Sequence, residues 1–159
     1  MSLNKLFIIF GLILAIFAGI VFYQFNSNKV TDLKAPKNTV RINKQTFSVE
    51  VVNTPEKWQL GLSGRESLPK NQGMLFAFDK KAYHTFWMKD MKFSIDIIFI
   101  NDDKIVSIEK NAKAPTKGQE NLPLYKSAGP INRVLEINAG LSDKHKIKPG
   151  DKVEIKLSK

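Results

Sequence analysis

Beyond residue 38, polar and apolar residues alternate with a period of two, or gather into short apolar runs, over residues 39–42, 46–52, 74–78, 84–88, 95–100, 104–109, 131–137 and 152–157. A period of two sends successive side chains to opposite faces of a pleated strand, so the pattern predicts about eight short strands separated by turns. Asn101-Asp102-Asp103 falls between two of these runs, and such side chains tolerate the dihedrals of a tight turn. Residues 95–100 and 104–109 are therefore expected to form a hairpin. Two short helices interrupt the strands. Thr54 is suited to cap the first, Pro55 has the fixed φ of a first helical position, Glu56 suits the positive end of the helix dipole, and Gly61 ends it. The second is expected over residues 141–146, ahead of the Lys148-Pro149-Gly150 turn. Residues 111–129 form a long polar stretch with Pro115, Gly118 and Pro123, the signature of a surface loop that is mobile or functional. The fold class is mainly β with a minor α+β character, a compact barrel-like or sandwich-like domain.

The N-terminal pattern differs. Residues 6–25 read LFIIFGLILAIFAGIVFYQF, long enough to cross a hydrocarbon core as a helix, with Gln24 the one strongly polar member. A cleavable signal would show small residues at alternate positions before the cut, yet Ala18 has Ile16 two residues before it and Ser27 has Phe25. Phe22, Tyr23 and Phe25 instead suit an aromatic anchor at the membrane boundary. The expected organisation is a transmembrane anchor or signal sequence over residues 1–25, a polar tether over 26–38 and one globular domain over 39–159. Counting Lys5 and the amino terminus against Lys29, Lys34, Lys37 and Arg41 would by itself keep the domain in the cytoplasm.

Composition narrows the function classes. The chain has no cysteine, which removes disulfides, thiolate metal sites and cysteine nucleophiles, as well as a lipid-modified N-terminal cysteine. The formal charge is +10, and the part after Phe25 retains 24 − 15 = +9, an excess that favours anionic surfaces. The lysines are scattered, without the aromatic interleaving or glycine-rich signatures of nucleic-acid modules, so lipid headgroups or an anionic envelope polymer fit the charge better than nucleic acid does. Phosphate-binding glycine loops, paired His at ligand spacing and the G-x-S-x-G turn are all missing. No cofactor or metal is expected.

The densest cluster of unusual residues is Tyr83-His84-Thr85-Phe86-Trp87-Met88-Lys89-Asp90-Met91. His84, Met88 and Met91 are soft ligands of the kind Cu(I) prefers, but methionine and aromatics at this density more often pack a core. An exposed Trp87 beside Lys89 and Asp90 would stack on a sugar ring or apolar ligand while the charged groups bind its hydroxyls. Asp96 lies on a strand face shared with Ile98 and Ile100, and Glu136 lies between Leu135 and Ile137, so both carboxyls need partners. Arg65, Lys89 or Arg133 would supply one for Asp96. Two carboxylates across a cleft would alternatively do acid–base work on a glycosidic bond.

Taken in order, Thr54-Pro55-Glu56, Gly61-Leu62, Arg65-Glu66-Ser67-Leu68, Gly73-Met74-Leu75-Phe76, Phe86-Trp87-Met88-Lys89, Ile95 to Ile100, Val134 to Gly140 and Ile147 to Asp151 resemble domain-of-unknown-function family 192 of bacteria and archaea. The resemblance covers nearly all of the soluble part. It implies a compact β-rich fold, often exported behind a signal or anchor, and no established reaction. It favours the outer face of the membrane, and it directs attention to Arg65, Trp87, Lys89, Asp96 and Glu136. The function expected is a membrane-tethered, extracytoplasmic binding module, not an enzyme, for a carbohydrate or anionic envelope component, with Arg65, Trp87, Lys89, Asp90, Asp96 and Glu136 as candidate binding residues. The alternatives are a hydrolase using Asp96 and Glu136, and a scaffold for an envelope protein.

Overall fold

The computed structural model describes residues 38–158. The anchor expected over residues 6–25 lies outside them, as does nearly all of the tether, and among the described residues no helix is long and apolar enough to cross a membrane. Nine strands form: β1 (Thr39–Ile42), β2 (Gln45–Val52), β3 (Gln72–Ala82), β4 (Thr85–Phe86), β5 (Ile95–Asn101), β6 (Lys104–Ala112), β7 (Tyr125–Lys126), β8 (Ile131–Asn138) and β9 (Val153–Lys156). Seven make one sheet in the order β6-β5-β8-β3-β2-β1-β9, and β4 pairs with β7 in a small ribbon. The sheet curls into a half-barrel. Its two edge strands meet at one end only, where the Ile105 N–H donates to the Asp151 carbonyl (3.1 Å) and the Val153 N–H to the Asp103 carbonyl (2.7 Å).

All the strand pairs are antiparallel except β2–β3. Parallel neighbours cannot be joined by a tight hairpin, and here the crossover carries helix α1 (Pro55–Leu60). The helix starts and stops as the residues dictate. Thr54 Oγ1 accepts from the Lys57 N–H (3.5 Å), and Gly61 leaves the helix at φ 49°. Helix α2 (Leu141–Lys144) is shorter than the expected 141–146, because Lys146 takes a left-handed φ of 55°. The β5–β6 hairpin forms as expected, with Asp102 at φ 54° in the turn.

Period-two alternation sorts the core into two layers. Val40, Phe47, Leu75, Ile98, Leu135, Ile137 and Val153 fill the concave side. Val52, Met74, Phe76, Ile97, Phe99 and Val134 face the other side, where Leu62, Met88 and Met91 from the connections cover them. Strand β5, buried on both faces, therefore reads as a continuous apolar run broken only by Asp96.

Gly73 marks the tightest approach between strands. A Cβ there would stand 2.8 Å from the Glu136 carbonyl oxygen and 3.1 Å from Leu135 Cδ1. Backbone cannot yield as a flexible side chain does, so Gly73→Ala should destabilise the domain by about 2 kcal/mol in chemical denaturation. A cost below about 0.5 kcal/mol would show that β3 and β8 have room to separate.

Candidate functional site

The outer layer of the sheet is where the aromatic residues collect. Phe86 on β4 points inward, with its ring 5.1 Å from Phe76 and 5.9 Å from Phe99, and Met88 is buried in the same layer. Trp87 stands between these two inward residues, so alternation turns it out to 52 % exposure. The chain then turns sharply, with Asp90 at φ 56° and the Met91 N–H donating to the Met88 carbonyl (3.2 Å). The connection after α1 braces this turn. Ser63 Oγ donates to the Lys89 carbonyl (2.8 Å) and the Gly64 N–H to the Asp90 carbonyl (2.9 Å).

Trp87 is the shared wall of two depressions. On one side a groove of about 660 Å³ runs between Trp87, Lys89 and Asp90 and the polar stretch from Pro115 to Leu124. Lys89 Nζ lies 5.5 Å from the Trp87 ring centroid, within cation–π range. The far wall is held by its own polar side chains, since Gln119 Oε1 accepts from the Thr116 N–H (3.2 Å) and Gln119 Nε2 donates to the Asn121 carbonyl (3.1 Å).

On the other side lies an aromatic cleft of about 470 Å³ lined by Pro55, Trp58, Gln59, Phe76, Phe78, His84, Thr85, Phe86 and Trp87. His84 stacks on Phe78 (3.8 Å, 16°), and Trp58 packs on the same phenylalanine at 4.9 Å. Trp58 is fixed further by donating its indole N–H to the Val52 carbonyl (3.1 Å). His84 Nε2 is buried without a hydrogen-bond partner, and burial lowers the pKa of the ring from its ordinary 6.5. These walls were not legible as a site, because Trp58 and Phe78 are far apart in sequence and each reads as ordinary packing.

Below the cleft, a cavity of about 30 Å³ reaches Glu136 between Trp58, Phe76, Phe86, Trp87, Met91 and Ile95. Glu136 pairs with Met74 and Ile97 across the sheet, so its side chain projects on the outer face with theirs. It is 5 % exposed, and among the described residues no hydrogen bond or ion pair reaches its carboxyl. Burial pushes its pKa up to about 8, which makes it a neutral acid at pH 7.

Asp96 sits elsewhere. In the β5–β8 register it pairs with Ile137 while Ile97 pairs with Glu136, so the two carboxyls project from opposite faces of the sheet. They cannot work on one bond, which corrects the hydrolase expectation. The expected Arg or Lys partner of Asp96 is also corrected. Its carboxylate is fully buried and accepts from the backbone N–H groups of Asn111 (2.8 Å), Gly140 (3.1 Å) and Ser142 (2.8 Å). Gly140 has no side chain to cap α2, and Asp96 caps it from a distant strand. Arg65 pairs with Glu50 (2.7 Å) at the surface and lines neither depression. The fold thus brings together Trp87, Lys89 and Asp90, sets Glu136 beneath them, and leaves Asp96 and Arg65 out.

Met88 and Met91 are buried packing residues of the outer layer, and the described residues contain no cluster of three or more His, Asp or Glu able to hold a metal ion.

Comparison with curated proteins gives no match. Among solved structures, the chain is similar to a protein of unknown function from Novosphingobium aromaticivorans, at 35 % identity and TM-score 0.65, over 74 % of this chain and 82 % of that one. It is also similar to a protein from Sinorhizobium meliloti described as a proposed transcription regulator, at 29 % identity and TM-score 0.68, over 74 % of this chain and 92 % of that one. A family profile described as an uncharacterised ACR matches residues 38–155. With that match running from the first strand through most of the last, the chain belongs to domain-of-unknown-function family 192.

Proposed function

We propose that the domain is a membrane-tethered, extracytoplasmic binding module whose groove receives a carbohydrate-like chain of the envelope. The observation carrying this reading is Trp87, half exposed, braced from behind and shared by groove and cleft. A large ring that hydrophobic burial would ordinarily hide is instead held open to solvent, with Lys89 and Asp90 beside it to bond hydroxyls or anionic substituents. The anchor over residues 6–25 and the +9 charge of the rest hold such a module near an anionic surface.

The test is retention of the full-length chain, purified in detergent, on isolated envelope polymers. Replacing both Trp87 and Lys89 by Ala should weaken retention by about tenfold or more, the size expected when a central aromatic anchor is lost. Unchanged retention rules the reading out. Protease accessibility of the domain in intact cells tests its placement, and resistance until the membrane is broken would put it inside.

One observation favours a second reading, a scaffold for an envelope protein. Leu60 (63 % exposed) and Leu124 (68 %) stand beside Trp87 in the walls of neighbouring depressions, an exposed apolar set on one side of the domain. That reading predicts loss of a protein partner, with polymer retention intact, when Leu60 and Leu124 are replaced by Ser.

A further inference from the structure

The cavity under Trp87 has a chemistry that the groove does not share. Its walls offer aromatic rings, aliphatic groups and one carboxyl, and the other polar side chains facing it are Gln59 and Ser63. Ser63 is already spent on the Lys89 carbonyl and the Trp58 indole N–H on the Val52 carbonyl. The described lining of cleft and cavity contains no Lys or Arg, despite the basic character of the chain. What remains at the floor is an unpartnered acid, more than nine-tenths buried, whose side chain can project only into this layer because its backbone is paired on both sides. Such a group is costly to keep unless something meets it.

We propose that this cavity is a receptor for a primary ammonium group, with the Glu136 carboxylate as its counter-ion and the rings of Trp58, Phe76, Phe86 and Trp87 as its walls. Aromatic rings carry negative charge on their faces and attract a desolvated cation, while a carboxylate supplies the opposite charge. An anion finds no positively charged side chain here. The volume, about 30 Å³, admits one group of water size. It suits –NH₃⁺ and is too small for a trimethylammonium head. The ligand's body would occupy the aromatic cleft, which shares Trp58, Gln59, Phe76, Phe86 and Trp87 with the cavity. The ligand class is therefore an amine carried on an apolar or flat body. This site does not depend on the carbohydrate reading of the outer groove.

Binding of the cation requires Glu136 to ionise, so one proton leaves the carboxyl as the ammonium enters. Other charged groups near enough to matter are few. Along the same sheet row stand Glu109 on β6, opposite Ile97, and Glu50 on β2, opposite Met74 and paired with Arg65. His84 lies in the cleft wall, Lys89 and Asp90 are at the rim, and Glu56 and Lys57 are on α1. Burial lowers the His84 pKa, so that ring changes charge below the range in which Glu136 ionises.

The probes are 2-phenylethylammonium and its near-isostere 2-phenylethanol, titrated against the full-length chain in detergent at about pH 6 and about pH 9. The ammonium should bind at least tenfold more tightly at the higher pH, because Glu136 is then ionised. The alcohol should show no such gain. Glu136→Gln should abolish the pH-dependent gain. As a second measurement in the unmutated protein, the ¹³C shift of the Glu136 carboxyl should titrate at least one pH unit lower with saturating ammonium and should not move with the alcohol. Failure of the ammonium to bind, equal affinities at both pH values, or equal binding by Glu136→Gln would overturn the proposal. An unmoved carboxyl titration would overturn it as well. No polymer retention by the unmutated chain, or unchanged retention after Trp87 and Lys89 are replaced by Ala, with ammonium binding intact, would count against the groove reading alone.

Discussion

Replacing Asp96 by Ala should lower the unfolding free energy by about 4 kcal/mol. The three N–H groups it satisfies lie near the end of β6 (Asn111) and at the start of α2 (Gly140 and Ser142). Removing the carboxylate orphans all three around a fully buried position, at about 1–3 kcal/mol for each hydrogen bond left unmade. Asp96→Asn keeps the shape and one acceptor oxygen but turns an NH₂ toward donors, so it should cost about 2 kcal/mol. Chemical denaturation followed by tryptophan fluorescence measures both. A loss below 1 kcal/mol for Asp96→Ala would mean that the carboxylate is not the cap that the geometry describes. Since Asp96 faces the concave layer, folded Asp96→Asn should bind ligands at Trp87 with unchanged affinity.

Glu136 should behave in the opposite sense. Its folded-state pKa of about 8 lies above the ordinary 4.5, so between those values the unfolded chain releases a proton that the folded chain keeps. Stability therefore falls as pH rises from about 4.5 to about 8. At pH 7 the penalty is about 3 kcal/mol, at roughly 1.4 kcal/mol for each pH unit above the ordinary value. Glu136→Gln removes a titrating group while keeping a neutral shape, so it should stabilise the domain by about that amount at pH 7. It should change little at about pH 4. A gain of the same size at both pH values, or a loss at both, would show that the carboxyl is solvated or paired. The two acidic residues differ for one reason: the backbone donors that meet Asp96 have no counterpart on the other face of the sheet.

That difference was only half visible in the sequence. The alternation that predicts strands also shows that Asp96 and Glu136 sit among apolar neighbours, hence that both are buried. Which face each occupies depends on the pairing of β5 with β8, and register between distant strands leaves no local mark. Boundaries failed where tertiary packing decides. Residues 84–88 read as one strand, yet only Thr85–Phe86 pairs, because the chain must turn at Met88 to cover the outer layer. Its partner β7 is a two-residue piece inside the stretch read as a polar loop. Conversely, β3 extends past Phe78 to Ala82, since a register shift against β8 lets the strand bend and continue through Asp79, Lys80 and Lys81.

The candidate site was legible to the extent that it is local. Trp87, Lys89 and Asp90 stand together in the sequence, and the polar stretch over 111–129 gave reason to expect a functional loop. The structure makes that loop the facing wall of the groove. The aromatic cleft was not legible, because it assembles Trp58 from α1, Phe76 and Phe78 from β3, and His84 and Phe86 from around β4. Long-range assembly of this kind needs the fold first.

The reading that ligands meet this domain at Trp87 is open to test through its two indoles. The chain contains only two tryptophans, Trp58 and Trp87, so their side-chain N–H signals are resolved in a ¹⁵N-labelled sample. Titrated with soluble fragments of envelope polysaccharide, the exposed Trp87 signal should shift saturably, together with backbone signals from Lys89, Asp90 and the 115–124 wall. Saturable shifts confined to residues outside the groove and the cleft, with the Trp87 indole unmoved, would contradict it.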